Sequence, residues 1–134
     1  MKRNQKGFSL VELIIVIAIM AVLIGLLAPQ YLRFVNRTKV NTDLQNATQI
    51  ADAVNGTIAD EGISSLSSPL SGAGGDAVAG IKGLAVWPES KVDASYPWKV
   101  TFDAENGVTE VTLNNEKVYP GDADSLEYYQ NHFQ

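Results

Sequence analysis

The 134-residue sequence predicts an α+β protein. A long amino-terminal α-helix spans a membrane in its first half and packs, in its second half, on a small antiparallel β-sheet. Three observations carry this expectation. A nearly continuous apolar run extends from Phe8 to Ala28. A stripe at steps of four, three, four, three and four follows it: Val40, Leu44, Ala47, Ala51, Val54 and Ile58. Strict alternation comes later, where Trp98, Val100 and Phe102 interleave with Lys99, Thr101 and Asp103.

Composition narrows the function classes. The chain is 46% hydrophobic, but the amino-terminal run takes a large share, leaving about a hundred rather polar residues with a thin core. Without cysteine, that core relies on packing, and CxxC metal and redox sites are excluded. The net charge is −5, and beyond residue 40 four basic residues face fourteen acidic ones, a balance that disfavours nucleic acid as a partner.

The apolar run comes first in order. Its 21 residues reach roughly 30 Å as a helix, enough to cross a hydrocarbon core. Lys2, Arg3 and Lys6 precede it and should stay cytoplasmic, which places the remainder outside; Arg33, Arg37 and Lys39 follow on the far side. A cleaved secretory signal fits poorly, because the run is long and ends Leu26-Leu27-Ala28-Pro29, with Leu where a small residue belongs. A plain anchor fits the length but leaves Glu12, a carboxylate inside the run, without a reason.

The residues around that carboxylate supply one. Lys6-Gly7-Phe8-Ser9-Leu10-Val11-Glu12 resembles the recognition site of prepilin peptidase, so the chain is similar to type IV pilins and pseudopilins. The resemblance is strong to about residue 58 and architectural beyond it. It implies a leader, residues 1–7, cut on the cytoplasmic side between Gly7 and Phe8, and N-methylation of the new terminus at Phe8. It implies that Glu12 acts in assembly, meeting the freed amine of a neighbouring subunit inside a bundle of apolar helices. It also places Pro29 where that family bends its helix. Pro29 lacks an N–H and clashes with the carbonyl one turn earlier, that of Gly25, so the helix should kink or loosen there.

Residues 8–28 are thus expected as the membrane or filament-core helix and 29–61 as its amphipathic continuation. Asn41, Thr42, Asp43, Asn46, Thr48, Gln49, Asp52 and Asn55 are expected on its other faces, and Asp60-Glu61-Gly62 at its end. Residues 62–134 form the head. Gly- and Ser-rich residues 62–95 read as a long connecting loop with at most a helical turn, pinned to the core by Trp87. Strands follow at 98–103 and 108–113, joined by Ala104-Glu105-Asn106-Gly107, and a short one at 117–119 after Asn114-Asn115, giving a meander of three or four strands. The carboxyl-terminal segment, with Leu126, Tyr128, Tyr129 and Phe133, folds back on the sheet edge and takes the place of the disulfide found in many pilins.

No catalytic constellation emerges. His132 is the single histidine and is expected at the surface, so histidine triads and multi-histidine metal sites are excluded. The 103–107 stretch suits a hairpin better than a calcium loop, while Asp122, Asp124 and Glu127 are a weak calcium candidate whose default is a solvated acidic turn. No cofactor and no enzymatic activity are expected.

The resemblance implies a structural subunit of a type IV pilus serving adhesion, motility or DNA uptake. Its partners would be itself and other pilins in a helical filament, the prepilin peptidase/N-methyltransferase and a membrane assembly platform. The precursor would cross the cytoplasmic membrane once and the assembled pilus would be extracellular. The alternatives are a pseudopilin of a type II secretion or competence system, and a membrane-anchored extracellular binding module.

Overall fold

The computed structural model describes residues 7–121 and 126–133. They form two compact units that divide between Phe34 and Val35.

Helix α1 runs from Leu10 to Glu61, 52 residues with Pro29 inside it. Straight-chain and aliphatic residues propagate it. It stops at Gly62, whose φ of +84° favours glycine and whose N–H reaches the Ile58 carbonyl at 2.9 Å. Within the second unit its buried face carries Val40, Ala47, Ile50, Ala51 and Val54, with Leu44 and Ile58 half-buried beside them. The helical stripe read from the sequence is therefore the packing face.

The sheet is antiparallel, with β1 (Leu70–Ala73), β2 (Pro97–Asp103), β3 (Gly107–Leu113) and β4 (Glu116–Tyr119) side by side in that order. In β2, Pro97–Asp103, the alternation is complete: Trp98, Val100 and Phe102 are buried and the residues between them face outward. The Asp103 carboxylate accepts the N–H groups of Glu105 at 3.0 Å and Asn106 at 2.7 Å, closing the turn into β3, Gly107–Leu113. Asn114 and Asn115, at φ +53° and +64°, make the two-residue turn into β4, Glu116–Tyr119. Helix α2, Glu127–Phe133, packs on β4, so the carboxyl-terminal segment does return to the sheet edge.

Three expectations need correction. Residues 62–95 are not one connecting loop: a 3-10 turn at Ile63–Ser65 is followed by β1, Leu70–Ala73, paired with β2. Four residues reading Leu-Ser-Gly-Ala carry no alternation, and this strand exists through pairing alone. Beyond it Val78 and Ala85 bond across a small hairpin, and Trp87, 4% exposed, pins the segment to the core as expected. Second, Asp43 is not on a solvent face of α1; it is fully buried. It stands three residues after Val40 and four before Ala47, inside the stripe, so helical geometry carries it into the core. Third, His132 is not a free surface residue. Its ring packs at a tilt of 46° against that of Tyr128, centroids 4.6 Å apart, and Nε2 lies 3.1 Å from a Glu116 carboxylate oxygen.

Candidate functional site

At the head of the apolar run, residues 7–9 are non-helical and exposed, and Phe8 is 92% exposed. The Gly7–Phe8 peptide bond is therefore accessible. Among the described residues nothing requires glycine at position 7: an added Cβ would meet no atom within 4 Å, and no positive φ is found there.

Helix α1 then begins with a reciprocal pair that the sequence reading missed. The Glu12 N–H donates to Ser9 Oγ at 3.2 Å, and the Ser9 N–H donates to Glu12 Oε2 at 3.2 Å. This is a capping box, which satisfies two orphan donors of the first turn and sets a negative charge at the positive end of the helix dipole. The signal, Ser-x-x-Glu directly before an apolar run, was present. Glu12 thus has a local partner in the uncleaved chain, and Ser9 holds it at the helix start.

The helix beyond is apolar all round. From Leu10 to Leu27 its large hydrophobic side chains are each about half exposed or more, from 49% at Val16 to 73% at Leu10. A helix hydrophobic on every side belongs in lipid or among other helices. Among the described residues, α1 is the one helix long and apolar enough to cross a membrane. Gly25 again has no internal reason, since an added Cβ meets nothing within 4 Å, and mid-helix glycine costs about 1 kcal/mol relative to alanine. The helix continues through Pro29, which has no N–H to offer the Gly25 carbonyl.

The head offers a different cluster. Asp43 Oδ2 accepts the hydroxyls of Ser90 and Tyr128, both at 2.6 Å, and Oδ1 accepts the Lys91 N–H at 2.7 Å. Burial, reinforced by the Asp43 hydrogen bond, pushes the Tyr128 hydroxyl far above its ordinary pKa of 10.0, so it remains a donor. With every group engaged in holding another, the cluster is a clasp. An open cleft of about 250 Å³ lies between Gln45 and Thr48 of α1 and Tyr119 of β4, and among the described residues no carboxylate or histidine lines it.

The structure thus gathers Gly7, Phe8 and Glu12 at one end of α1 and sets Gly25 and Pro29 further along the same helix. Of the calcium candidate, Asp122 and Asp124 lie outside the described residues, and Glu127 is exposed at the start of α2. Among the described residues, no three His, Cys, Asp or Glu side chains converge as metal ligands.

Comparison with known proteins bears on the same end of the chain. Residues 2–28 match the family model of the prokaryotic N-terminal methylation motif. The chain is 40% identical over 65 residues to prepilin peptidase-dependent protein A of Clostridium perfringens, covering 48% of this chain and 46% of that one. It is 37% identical over 60 residues to a type IV major fimbrial protein, FimA, of Dichelobacter nodosus, covering 45% and 38%. With FimA of strain VCS1703A the match reaches 85 residues at 34% identity, 63% of this chain and 52% of that one. The chain spans about half or less of the length of these relatives. No solved structure matches it significantly. The resemblance to type IV pilins read from Gly7, Phe8 and Glu12 therefore stands.

Proposed function

We propose that this chain, which carries the N-terminal methylation motif at residues 2–28, is the structural subunit of a type IV pilus. It is made as a membrane precursor, cut between Gly7 and Phe8, N-methylated at Phe8 and polymerised into an extracellular helical filament. Residues 1–7 are the leader and stay cytoplasmic, 8–28 are the membrane and filament-core helix, 29–61 are its continuation, and 62–134 are the head outside. A prepilin peptidase makes the cut, and an assembly platform in the membrane receives the product.

The observation that carries this reading is the placing of Glu12. It is the single charge on a helix otherwise exposed and apolar from Leu10 to Leu27, and it lies one turn from an accessible Gly7–Phe8 bond. Hydrolysis of that bond frees an ammonium at Phe8. Packing subunits side by side buries the apolar helices and brings the ammonium of one within reach of Glu12 of the next. Both charges lose hydration there, so the net gain is small while the cost of misalignment is large. Glu12 therefore sets axial register. Gly25 and Pro29, which weaken one turn, give the helix a place to loosen during packing.

Mass spectrometry of the mature amino terminus tests this directly. The expected terminus is methylated Phe8. A chain beginning at Met1, or after Ala28, overturns the reading. Glu12→Ala should leave the cut intact and abolish surface filaments.

A further inference from the structure

We propose that Asn106 is a self-modification site: with Gly107 it deamidates through a succinimide, and the product releases the β2–β3 turn from α1. The inference concerns the head alone and is independent of the polymerisation reading.

Two asparagines in the chain precede glycine, Asn55 and Asn106. That pairing suits an intramolecular reaction, because glycine has no side chain to keep its backbone nitrogen from the amide carbonyl before it. The reaction balances with water alone. The Gly107 nitrogen gives up its proton and attacks Asn106 Cγ; the Cγ–Nδ2 bond breaks, and ammonia leaves with that proton. Water then opens the succinimide at one of its two carbonyls. Attack at Cγ leaves aspartate. Attack at the main-chain carbonyl leaves isoaspartate, with the backbone rerouted through the side chain.

The fold treats the two sites oppositely. Asn55 and Gly56 lie inside α1, where the helical pattern engages the Gly56 N–H with the Asp52 carbonyl. The Asn55 side chain is held as well, because its Oδ1 accepts the Val108 N–H at 2.9 Å. Asn106 is exposed in the turn between β2 and β3. Its amide donates to Asp103 Oδ2 at 3.2 Å, an exposed bond for which water competes at both ends. Gly107, at φ +70°, stands opposite Asp103 at the end of the ladder. Opening one surface turn frees Asn106, whereas freeing Asn55 requires opening a helix packed on the core.

The product cannot keep the turn as it is. Either form puts a carboxylate where the amide donated to Asp103, beside Asp103 and Glu105. Isoaspartate also lengthens the backbone just ahead of Gly107. That glycine lies so close to α1 that an added Cβ would come within 2.5 Å of Asn55 Oδ1, and the next residue, Val108, bonds the same oxygen. A longer, doubly charged turn moves both away from the helix.

The test ages the full chain, purified in detergent, in mildly alkaline buffer enriched in heavy-oxygen water, and maps its peptides by mass spectrometry. Position 106 should gain one heavy oxygen and yield both aspartate and isoaspartate. It should convert about tenfold or more faster than position 55, the factor for each ~1.4 kcal/mol of extra local opening. An Asn106 that stays an amide, or an Asn55 that converts as fast, overturns the proposal. So does aspartate without isoaspartate, the mark of direct hydrolysis. In denaturant the two sites should convert at similar rates; a difference that persists there assigns it to local sequence and overturns the structural account. Hydrogen exchange reads the consequence. The Val108 N–H should exchange about tenfold or more faster in the aged chain than in the fresh one, while Asn106→Gln, aged alongside, should keep its protection. Unchanged exchange in the aged chain, or equal loss in Asn106→Gln, overturns the release of the turn from α1.

Discussion

The Tyr128 hydroxyl donates to Asp43 Oδ2 across 2.6 Å, joining α2 to the second half of α1 through a contact in which both residues are fully buried. Asp43 also accepts from Ser90 and from the Lys91 N–H. One carboxylate thus fastens three stretches of chain. In a protein without cysteine, this fixes the carboxyl-terminal segment where a covalent bridge would otherwise serve.

Tyr128→Phe removes one donor and leaves Asp43 its other two. The expected loss is about 1.5–3 kcal/mol, the usual worth of a hydrogen bond to a charged group. Asp43→Ala should cost more, because it strands the Tyr128 and Ser90 hydroxyls and the Lys91 N–H in the interior. Denaturant unfolding of the two variants measures the difference. Equal losses would mean that the clasp works through packing rather than through the carboxylate.

The capping box can be separated from the assembly role proposed for Glu12. Ser9→Ala removes the cap from the Glu12 N–H but keeps the carboxylate, so the helix start should fray while filaments persist. Glu12→Ala removes both. Filament counts by electron microscopy distinguish them. If Ser9→Ala abolishes filaments as completely as Glu12→Ala, capping rather than a contact between subunits explains the need for Glu12.

Much of this was legible in the sequence, for identifiable reasons. The helical stripe and the alternation of Trp98, Val100 and Phe102 are long enough to fix a period, and each marks a buried face. The asparagines at 114 and 115 marked a turn that requires positive φ, and they adopt it. Strand β1 was not legible, because Leu70–Ala73 is defined by its partner rather than by its residues. Asp43 is expected on another face with its polar neighbours, yet its spacing from Val40 and Ala47 puts it inside. The surroundings of His132 are not legible in sequence, because its partners Glu116 and Tyr128 meet it only once α2 has folded onto β4. At the amino terminus the motif of Gly7, Phe8 and Glu12 overlaps a simpler signal, Ser-x-x-Glu before an apolar run, which the Ser9–Glu12 pair satisfies.

Acid should loosen the head through its turns. The Asn106 N–H, and then its side-chain amide, hold the Asp103 carboxyl below its ordinary value of 3.8; the Ser95 hydroxyl and N–H do the same for Asp93. A lowered pKa in the folded state means that the unfolded chain binds the proton more readily. The resulting stability is fully present above the unfolded value and is lost as pH falls through the folded one. The melting temperature should therefore be flat between about pH 7 and pH 5 and decline below about pH 4. Asp103→Asn should make that acid limb shallower. An unchanged limb would remove Asp103 from the account.

Two glycines give opposite expectations from one kind of substitution. Gly72 in β1 lies against the Trp87 ring, where an added Cβ would overlap the indole. Gly72→Ala must displace a buried tryptophan that secures the whole 62–95 segment, at about 1–3 kcal/mol for overpacking. Gly56 lies inside α1 without a positive φ, and an added Cβ meets nothing within 4 Å. Gly56→Ala should therefore stabilise by about 0.5–1 kcal/mol, through helix propensity and reduced freedom of the unfolded chain. Unfolding of the dispersed subunit measures both values, and filament assembly adds a further reading for Gly56. A variant that is more stable alone yet polymerises poorly would show that a neighbouring subunit approaches α1 closely at this position. Normal assembly would leave Gly56 a local weakness in the helix and nothing more.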